Sequence, residues 1–364
     1  MVKVLIVDDS AFVRRSLTTI LEKDPDIQVV GTASNGLEGV ALAAKLEPDV
    51  ITMDVEMPRM NGLEALAKIM VENPCPVIMI SSLTGEGAET TLKALELGAL
   101  DYMPKLTSGS LPDLDRVQKE LAGKVKALAR RKAFVRLVHR RKNPAPAASA
   151  ARPAASGAGP RSQPVRPPGR TGRGAFEVVL IGVSTGGPPA VQKILAALPG
   201  NFPLPILVAQ HMPAAFTGPF AKRLDVQCAI SVKEAEPVER LRPGTVYICP
   251  GGKHLRVEMR GALPTALVTE EPKEALYKPS ANVLMETGGL TLGRKALGVM
   301  LTGMGSDGVE GAKVLKEKGG YMVAQSEQTC VVYGMPKAVV DAGLADEIVD
   351  LEDVAGTLCA LVGV

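Results

Sequence analysis

The chain has 364 residues, of which 46% are hydrophobic and 22% charged, the balance of a globular protein long enough for two domains. No apolar run approaches the roughly 20 residues that a membrane-spanning helix needs. The formal charge of +3 arises in residues 140–174, which hold eight basic residues and no acidic one; the rest keeps 34 of the 42 basic residues against 39 acidic ones. This charge distribution argues against a nucleic-acid partner, and the lack of a long apolar run argues against a membrane protein.

The N-terminus lacks the layout of a signal peptide, and the five cysteines form no CxxC pair. Scattered cysteines in odd number indicate reduced thiols. We therefore expect a cytoplasmic protein.

Residues 1–106 alternate short apolar runs with amphipathic segments. The runs VKVLIV, IQVVGTA, VITMD, PVIMIS and LDYM are typical of strands buried on both faces of a parallel sheet. Between them lie helical patterns such as SAFVRRSLTTILEK and GLEALAKIMVE. These βα units predict an open, doubly wound, five-stranded parallel sheet, which binds ligands beyond the carboxyl ends of its strands. With a trailing helix at about 111–135, they form a first domain predicted at 1–135.

Polar residues end these predicted strands: Asp8 and Asp9 the first, Asp54 the third, Ser81 the fourth and Lys105 the fifth. A single Asp at such a place is usually a helix cap or a turn former. Three carboxylates at one sheet edge, however, repel one another unless a hard cation such as Mg²⁺ binds them or one is protonated. A carboxylate nucleophile, a metal, a hydroxyl and a lysine together predict a site that accepts a phosphoryl group.

The stretches LIVDDS, DVITMDVEMPRMNGLEAL and GALDYMPK resemble the receiver domain of two-component response regulators over residues 2–106. The resemblance implies that a histidine kinase phosphorylates Asp54, while Ser81 and Lys105 contact the phosphoryl group. It also implies an Mg²⁺ site formed by Asp9, Asp54, the carbonyl of Glu56 and, through water, Asp8. The sequence departs from the family at Leu106, where Pro usually follows the lysine, and this leaves the peptide geometry after Lys105 open.

Residues 136–174 are rich in Pro, Ala, Gly, Ser and Arg and carry no apolar periodicity, which predicts a disordered linker. Residues 175–364 again alternate apolar runs, among them EVVLIGV, PILVAQ and ALGVMLTG, with helical segments. They predict a second, mostly parallel α/β domain with some antiparallel strands near 245–270.

The sequence GVSTG at 182–186 fits the G-x-S-x-G pattern at a predicted strand-to-helix turn, where a nucleophilic serine, here Ser184, would be exposed. Two alternatives stay open from this motif alone. A Ser or Thr before a helix is commonly only an N-cap, and a glycine-rich turn can bind phosphate. The phosphate interpretation lacks a Walker lysine and the dinucleotide-binding fingerprint.

A serine nucleophile needs a general base, and the chain contains three histidines. His139 lies in a basic run beside the linker, and His254 follows a turn, where a rim or structural role is favoured. His211 follows a strand expected to neighbour that of Ser184, the right position for a base. Asp307 follows another strand among glycines and fits the acid that orients the base, although with Glu310 it also fits a helix capping box.

The motifs IGVSTGGP, AQHMP, YICPGGKHL, YKPSANVLM, LTGMGSDG and VYGMP resemble the catalytic domain of the chemotaxis protein-glutamate methylesterases, the CheB family, in which a receiver precedes it. The resemblance implies that Ser184 is the nucleophile, His211 the base and Asp307 its orienting acid. It implies that the backbone N–H of Met304 contributes to the oxyanion hole and that Thr185 lines the site. No cofactor is expected in this second domain, at 175–364.

The resemblance implies a phosphorylation-activated hydrolase that demethylates glutamate γ-methyl esters on bacterial chemoreceptors, releasing methanol, and deamidates receptor glutamines. The expected partners are these chemoreceptors and a chemotaxis histidine kinase, with recruitment of the cytoplasmic enzyme to membrane receptor arrays. Two other output classes are weighed against it: a DNA-binding domain, for which no basic helix-turn-helix pattern is present, and a nucleotide- or phosphate-binding domain.

Overall fold

The structure is a computed structural model that describes residues 1–82, 84–105, 114–133, 135–137, 172 and 174–364. Nearly all of the predicted linker, including His139, lies outside the described residues. Within the described residues, none of the helices combines the length and the apolar character that a membrane span requires.

The N-terminal sheet has five strands in the order β2-β1-β3-β4-β5. Its strands are β1 (Val2–Val7), β2 (Ile27–Ala33), β3 (Val50–Asp54), β4 (Val77–Ser81) and β5 (Asp101–Pro104). The accompanying helices are α1 (Ala11–Leu21), α2 (Gly36–Leu46), α3 (Gly62–Glu72), α4 (Gly85–Leu97) and α5 (Leu114–Ala129). The pairs β1–β2, β1–β3 and β3–β4 run parallel, and β3 and β4 are buried at every position. The doubly wound sheet that the apolar runs predict is confirmed.

The C-terminal sheet has seven strands in the order β15-β14-β13-β6-β7-β10-β8, and all six neighbouring pairs are parallel. Its strands are β6 (Val178–Val183), β7 (Ile206–Gln210), β8 (Ser231–Glu234), β10 (Thr245–Ile248), β13 (Ala296–Met300), β14 (Tyr321–Gln325) and β15 (Glu347–Val349). The helices are α6 (Gly187–Ala197), α7 (Ala214–Gln227), α8 (Ala281–Leu292), α9 (Val309–Glu317), α10 (Met335–Asp341) and α11 (Val354–Val362). Apolar runs such as VVLIGV are buried at all six positions, because helices cover both faces of such a sheet.

A separate three-stranded antiparallel sheet has the order β11-β12-β9, with β9 at Val238–Arg240, β11 at His254–Arg260 and β12 at Leu263–Thr269. These are the antiparallel strands expected near 245–270. The strand β10 falls in the same stretch of sequence but belongs to the parallel sheet.

The strand β6 lies at the centre of the seven-stranded sheet, between β13 and β7. From β6 the chain continues to β7 on one side and returns through β13 on the other, so the strand order reverses here. Ligands of open α/β sheets bind beyond the carboxyl ends of the strands at such a switch point. The loops after β6, β7 and β13 carry Ser184, His211 and Asp307, and the topology therefore brings these three residues to one edge.

Candidate active site

Ser184 is the first residue after β6, in a tight turn that leads into α6. Its backbone N–H donates to the Thr302 carbonyl (3.0 Å), and its own carbonyl accepts from the N–H of Gly187 (2.8 Å). The N-cap of α6 is Gly186, with a left-handed φ of 74° and no side-chain capping bond. A side chain at this glycine would also collide with Val331, 2.5 Å from the added Cβ. Ser184 is therefore not the N-cap of this helix, and its hydroxyl is available for other contacts.

The side chains of Ser184, His211 and Asp307 form a hydrogen-bonded series. The Nδ1 atom of His211 lies 3.1 Å from Ser184 Oγ, and its Nε2 atom lies 2.8 Å from Asp307 Oδ2. The His211 side chain is 10% exposed and that of Asp307 5% exposed. The three residues span more than 120 positions of the sequence, and the structure places their side chains in hydrogen-bond contact.

Asp307 precedes α9 in the chain, but its carboxylate lies at the N-terminus of a different helix, α8. Its Oδ1 accepts from Ser280 Oγ (2.8 Å) and Asn282 N (3.2 Å), and its Oδ2 accepts from Ala281 N (2.6 Å). A carboxylate is stabilised there by unpaired N–H groups and by the helix dipole. The capping box that the sequence allowed with Glu310 is absent, since the N-cap of α9 is Gly308 without a side-chain capping bond.

The two helices cap each other reciprocally. While Asp307 accepts from the first residues of α8, the Oδ1 atom of Asn282 accepts from the N–H groups of Gly308 (2.9 Å) and Gly311 (3.0 Å) at the start of α9. Gly311 has no room for a Cβ, which would stand 2.2 Å from the Asn282 carbonyl oxygen. The exchange fixes the position of Asp307 relative to α8.

Burial alone would raise the pKa of the Asp307 carboxyl, but the net pKa is lower than its ordinary value. The hydrogen bond from His211, its charge when protonated, and the donors Ala281 N and Ser280 Oγ all favour the carboxylate. An ionised carboxylate only accepts hydrogen bonds, so the proton of a neutral His211 ring resides on Nε2. Nδ1 is then an acceptor facing the Ser184 hydroxyl, which is the arrangement that a general base requires.

Gln210, the last residue of β7, contacts the two loops that carry Ser184 and His211. Its Nε2 donates to the carbonyls of Ser184 (3.0 Å) and His211 (3.2 Å), and the residue is 1% exposed. Gly187 leaves space for it, because a Cβ there would stand 2.0 Å from Gln210 Oε1. The sequence analysis missed Gln210, although a polar residue ending the apolar run ILVAQ was a signal that could have identified it.

Thr185 and Met304 are the remaining residues expected in this site, and Thr185 directly follows Ser184 in the chain. Thr185 is 2% exposed, and its hydroxyl has no hydrogen-bond partner among the described residues. Met304 is half-buried and follows Gly303, where an added Cβ would stand 2.9 Å from Ser184 Cβ. The loop that carries the Met304 N–H thus runs close to the serine because position 303 has no side chain.

His254, for which a structural role was favoured, is fully buried at the start of β11. Its Nε2 lies 3.2 Å from the Pro272 carbonyl, and its Nδ1 is buried without a partner among the described residues. Burial lowers the pKa of this imidazole. It is therefore a neutral ring that donates to a backbone carbonyl.

The acidic residues of the N-terminal sheet converge as expected at its carboxyl edge. Carboxylate oxygens of Asp8, Asp9 and Asp54 lie within 4.8 Å of one another, and Asp8 and Asp54 are buried. Ser81 is buried at the end of β4, and its carbonyl accepts from the N–H of Lys105 (2.7 Å). A close group of carboxylates offers the all-oxygen donor set that suits Mg²⁺.

Glu56, the fourth residue expected at the metal, is exposed two residues beyond Asp54. Its backbone N–H donates to Asp54 Oδ1 (3.3 Å). This short turn keeps the backbone of Glu56 next to the carboxylate group.

A Ser–His–Asp series at the carboxyl ends of parallel strands is an arrangement that serine hydrolases use on several unrelated folds. Two family models match the chain: the one described as "CheB methylesterase" over residues 179–358, and the one described as "Response regulator receiver domain" over residues 4–111. The chain belongs to the CheB methylesterase family and carries a response-regulator receiver domain.

Curated relatives match over nearly the whole length. A protein-glutamate methylesterase/protein-glutamine glutaminase of Oleidesulfovibrio alaskensis is 59% identical over 98% of both chains. A protein of the same name from Nitratidesulfovibrio vulgaris is 60% identical, again over 98% of both. The crystal structure of the Thermotoga maritima CheB methylesterase catalytic domain matches with a TM-score of 0.50 and 40% identity, covering 51% of this chain and 99% of that one.

Proposed function

We propose that this protein is a phosphorylation-activated hydrolase that removes methyl groups from glutamate γ-methyl esters of chemoreceptors and deamidates their glutamines. The names of the near full-length relatives support the two reactions, and the receiver family supports the regulation. The observation that carries the proposal is the series of hydrogen bonds from Ser184 through His211 to Asp307.

In the proposed reaction, Ser184 Oγ attacks the γ-carbonyl carbon while its proton passes to His211 Nδ1. The bond from that carbon to the methoxy oxygen then breaks, and the proton on Nδ1 goes to the leaving group, which departs as methanol. Water attacks the acyl-enzyme with His211 again as base, giving glutamate and regenerating the serine. With glutamine the leaving group is ammonia and the acyl-enzyme is the same.

Asp307 keeps its negative charge throughout and stabilises the imidazolium through Nε2. The N–H of Met304 is proposed to bind the oxyanion, and Thr185 to line the site. The close approach of position 303 to Ser184 supports this assignment. Losing one oxyanion donor typically costs about 2.7–4 kcal/mol of transition-state stabilisation.

In the receiver, Asp54 is proposed to accept a phosphoryl group from a chemotaxis histidine kinase, with Ser81 and Lys105 contacting that group. Asp9, Asp54, the Glu56 carbonyl and, through water, Asp8 would hold Mg²⁺, and the close carboxylate oxygens fit such an ion. When bound, the ion would neutralise the charge of the incoming phosphate.

The domain limits proposed with this function are a receiver at 1–135, a linker at 136–174 and a catalytic domain at 175–364. The partners proposed are the membrane receptor arrays that present the substrate and the kinase that serves them. Within this scheme the enzyme is cytoplasmic and is recruited to the receptors.

The test is methanol release from methylated receptor membranes, measured with and without a small-molecule phosphodonor. We expect Ser184→Ala to lose about 10⁴-fold or more of the activity, and Asp54→Asn to keep the basal rate but lose the response to the phosphodonor. The matched control is Ser231→Ala, at an exposed position of β8. Undiminished methanol release in Ser184→Ala would refute Ser184 as the nucleophile. Nucleotide binding without methanol release in the wild type would favour the nucleotide- or phosphate-binding alternative.

A further inference from the structure

Tyr277, a residue to which the sequence analysis gave no role, covers one face of His211. The two rings are stacked, with centroids 4.3 Å apart and an angle of 11° between their planes. Together with Asp307 and Ser184 at its two nitrogens, this contact leaves only 10% of the His211 side chain exposed.

The segment that follows Tyr277 is held in place by hydrogen bonds. The next residue, Lys278, accepts a hydrogen bond from Gly252 N (3.0 Å) through its carbonyl. Three residues after Tyr277, Ser280 caps α8 and donates to Asp307 Oδ1 (2.8 Å). The hydroxyl end of the tyrosine reaches the loop after β13, 3.7 Å from the place of a Cβ on Gly305.

One short segment, 277–282, therefore contacts both proton-handling groups. Its first residue stacks on His211, and Ser280, Ala281 and Asn282 donate the three hydrogen bonds that hold Asp307. This stretch of chain therefore helps to set the relative position of base and acid.

The ring stack has two physical consequences for an imidazole that must accept a proton. A ring nitrogen forms its strongest hydrogen bond in the plane of the imidazole, so a tilt of the His211 ring about its Cβ–Cγ bond weakens the contacts at Nδ1 and Nε2 together. A parallel ring packed on one face opposes that tilt. The negative π face of the phenol ring also attracts the positive charge that His211 gains when Ser184 gives up its proton.

We propose that Tyr277 is a positioning residue for the methylesterase reaction: its aromatic ring holds His211 in line with Ser184 and Asp307 and stabilises the imidazolium. The inference rests on the proposed function, because it assumes that His211 is the base. The proposal assigns this effect to the aromatic ring, which phenylalanine would retain.

The experiment compares Tyr277→Phe with Tyr277→Leu in the full-length chain. Methanol release gives kcat and KM, and the low-field proton NMR signal of the His211–Asp307 hydrogen bond reports the imidazole without any substrate. We expect Tyr277→Phe to match the wild type within about twofold. Tyr277→Leu should lower kcat about 3- to 30-fold, the range for a lost cation–π contact, with KM nearly unchanged. Its low-field signal should be broadened.

Leu276→Ala controls for a general disturbance of the segment that carries Tyr277. Leu276 is the preceding residue and is 66% exposed, so this variant should behave as the wild type. Tyr277→Met serves the same purpose as the leucine variant if that variant does not fold. Wild-type kcat and an unchanged NMR signal in the aliphatic variants would overturn the proposal, and so would a phenylalanine variant as impaired as the leucine one. Failure of the proposed function is seen separately, as methanol release that survives Ser184→Ala.

Discussion

The replacement Asp307→Asn tests how much the carboxylate contributes to both stability and chemistry. The carboxylate accepts four hydrogen bonds, two on each oxygen: Oδ1 from Ser280 Oγ and Asn282 N, Oδ2 from Ala281 N and His211 Nε2. An amide has only one acceptor oxygen, so two donors will meet an NH₂ group in either orientation.

If the amide oxygen takes the place of Oδ2, the His211 tautomer is kept, but Asn282 N–H faces the NH₂ group and loses its partner. If it takes the place of Oδ1, Ala281 N–H loses its partner instead. His211 Nε2 must then accept from the amide, so its proton moves to Nδ1 and the ring can no longer take a proton from Ser184. The first orientation costs stability, and the second costs both stability and activity.

The stability loss follows from these contacts. One hydrogen bond to a charged acceptor contributes about 1.5–3 kcal/mol, and a carboxylate at a helix N-terminus about 0.3–1 kcal/mol more. We therefore expect Asp307→Asn to lower the free energy of unfolding of the C-terminal domain by about 2–4 kcal/mol. In a serine protease the corresponding exchange lowers kcat about 10⁴-fold, and we expect a loss of similar order here.

Urea unfolding measures the first quantity and methanol release the second. The matched control is Asp346→Asn, whose carboxylate accepts from Lys316 Nζ and from Met322 N, near the start of β14 and so at the opposite edge of the sheet. This variant should lose stability and keep its activity. A rate for Asp307→Asn within a few fold of the wild type, with the stability loss present, would refute the assignment of Asp307 as the orienting acid.

Two further predictions concern residues buried near this site. Gln210→Met removes the donor shared by the carbonyls of Ser184 and His211. We expect it to lower the free energy of unfolding by about 1–3 kcal/mol and kcat about tenfold. An unchanged kcat at reduced stability would show that the carboxamide does not position the two loops. Burial lowers the pKa of His254 below its unfolded value of about 6.5. As the pH falls below that value, the unfolded chain binds a proton that the folded chain does not. The free energy of unfolding then decreases, by at most about 1.4 kcal/mol per pH unit. His254→Gln should therefore lose less unfolding free energy between pH 7 and pH 5 than the wild type, and an equal loss in urea titrations would contradict this reasoning.

The apolar runs were sufficient to predict the strands, because a strand buried on both faces needs a continuous hydrophobic segment. The predicted run EVVLIGV contains β6, which begins one residue later at Val178, and the run VITMD coincides with β3. The polar residues that end these runs could be listed from the sequence, and parallel strands bring their carboxyl ends to one edge. The convergence of Asp8, Asp9 and Asp54 was predictable for that reason.

Local spacing did not predict hydrogen-bond partners that lie far apart in the chain. Only the family resemblance linked Ser184, His211 and Asp307 before the structure was known. The local spacing of Asp307 and Glu310 matches a capping box, yet Asp307 accepts from the start of α8, 25–27 residues earlier. The stack of Tyr277 on His211 joins residues 66 positions apart, and no periodicity in the sequence records it.

The order of hydrophobic and polar residues thus determined the two parallel α/β sheets and the positions at which reactive groups follow strands. Whether a segment forms a buried strand depends mainly on its own hydrophobic residues. Only the tertiary structure decided which nitrogen of His211 faces Ser184, which helix Asp307 caps, and which ring packs on His211. The physical reason is that hydrogen bonds and ring contacts depend on distances of a few ångströms between elements, and these distances are fixed only when the strands and helices pack together.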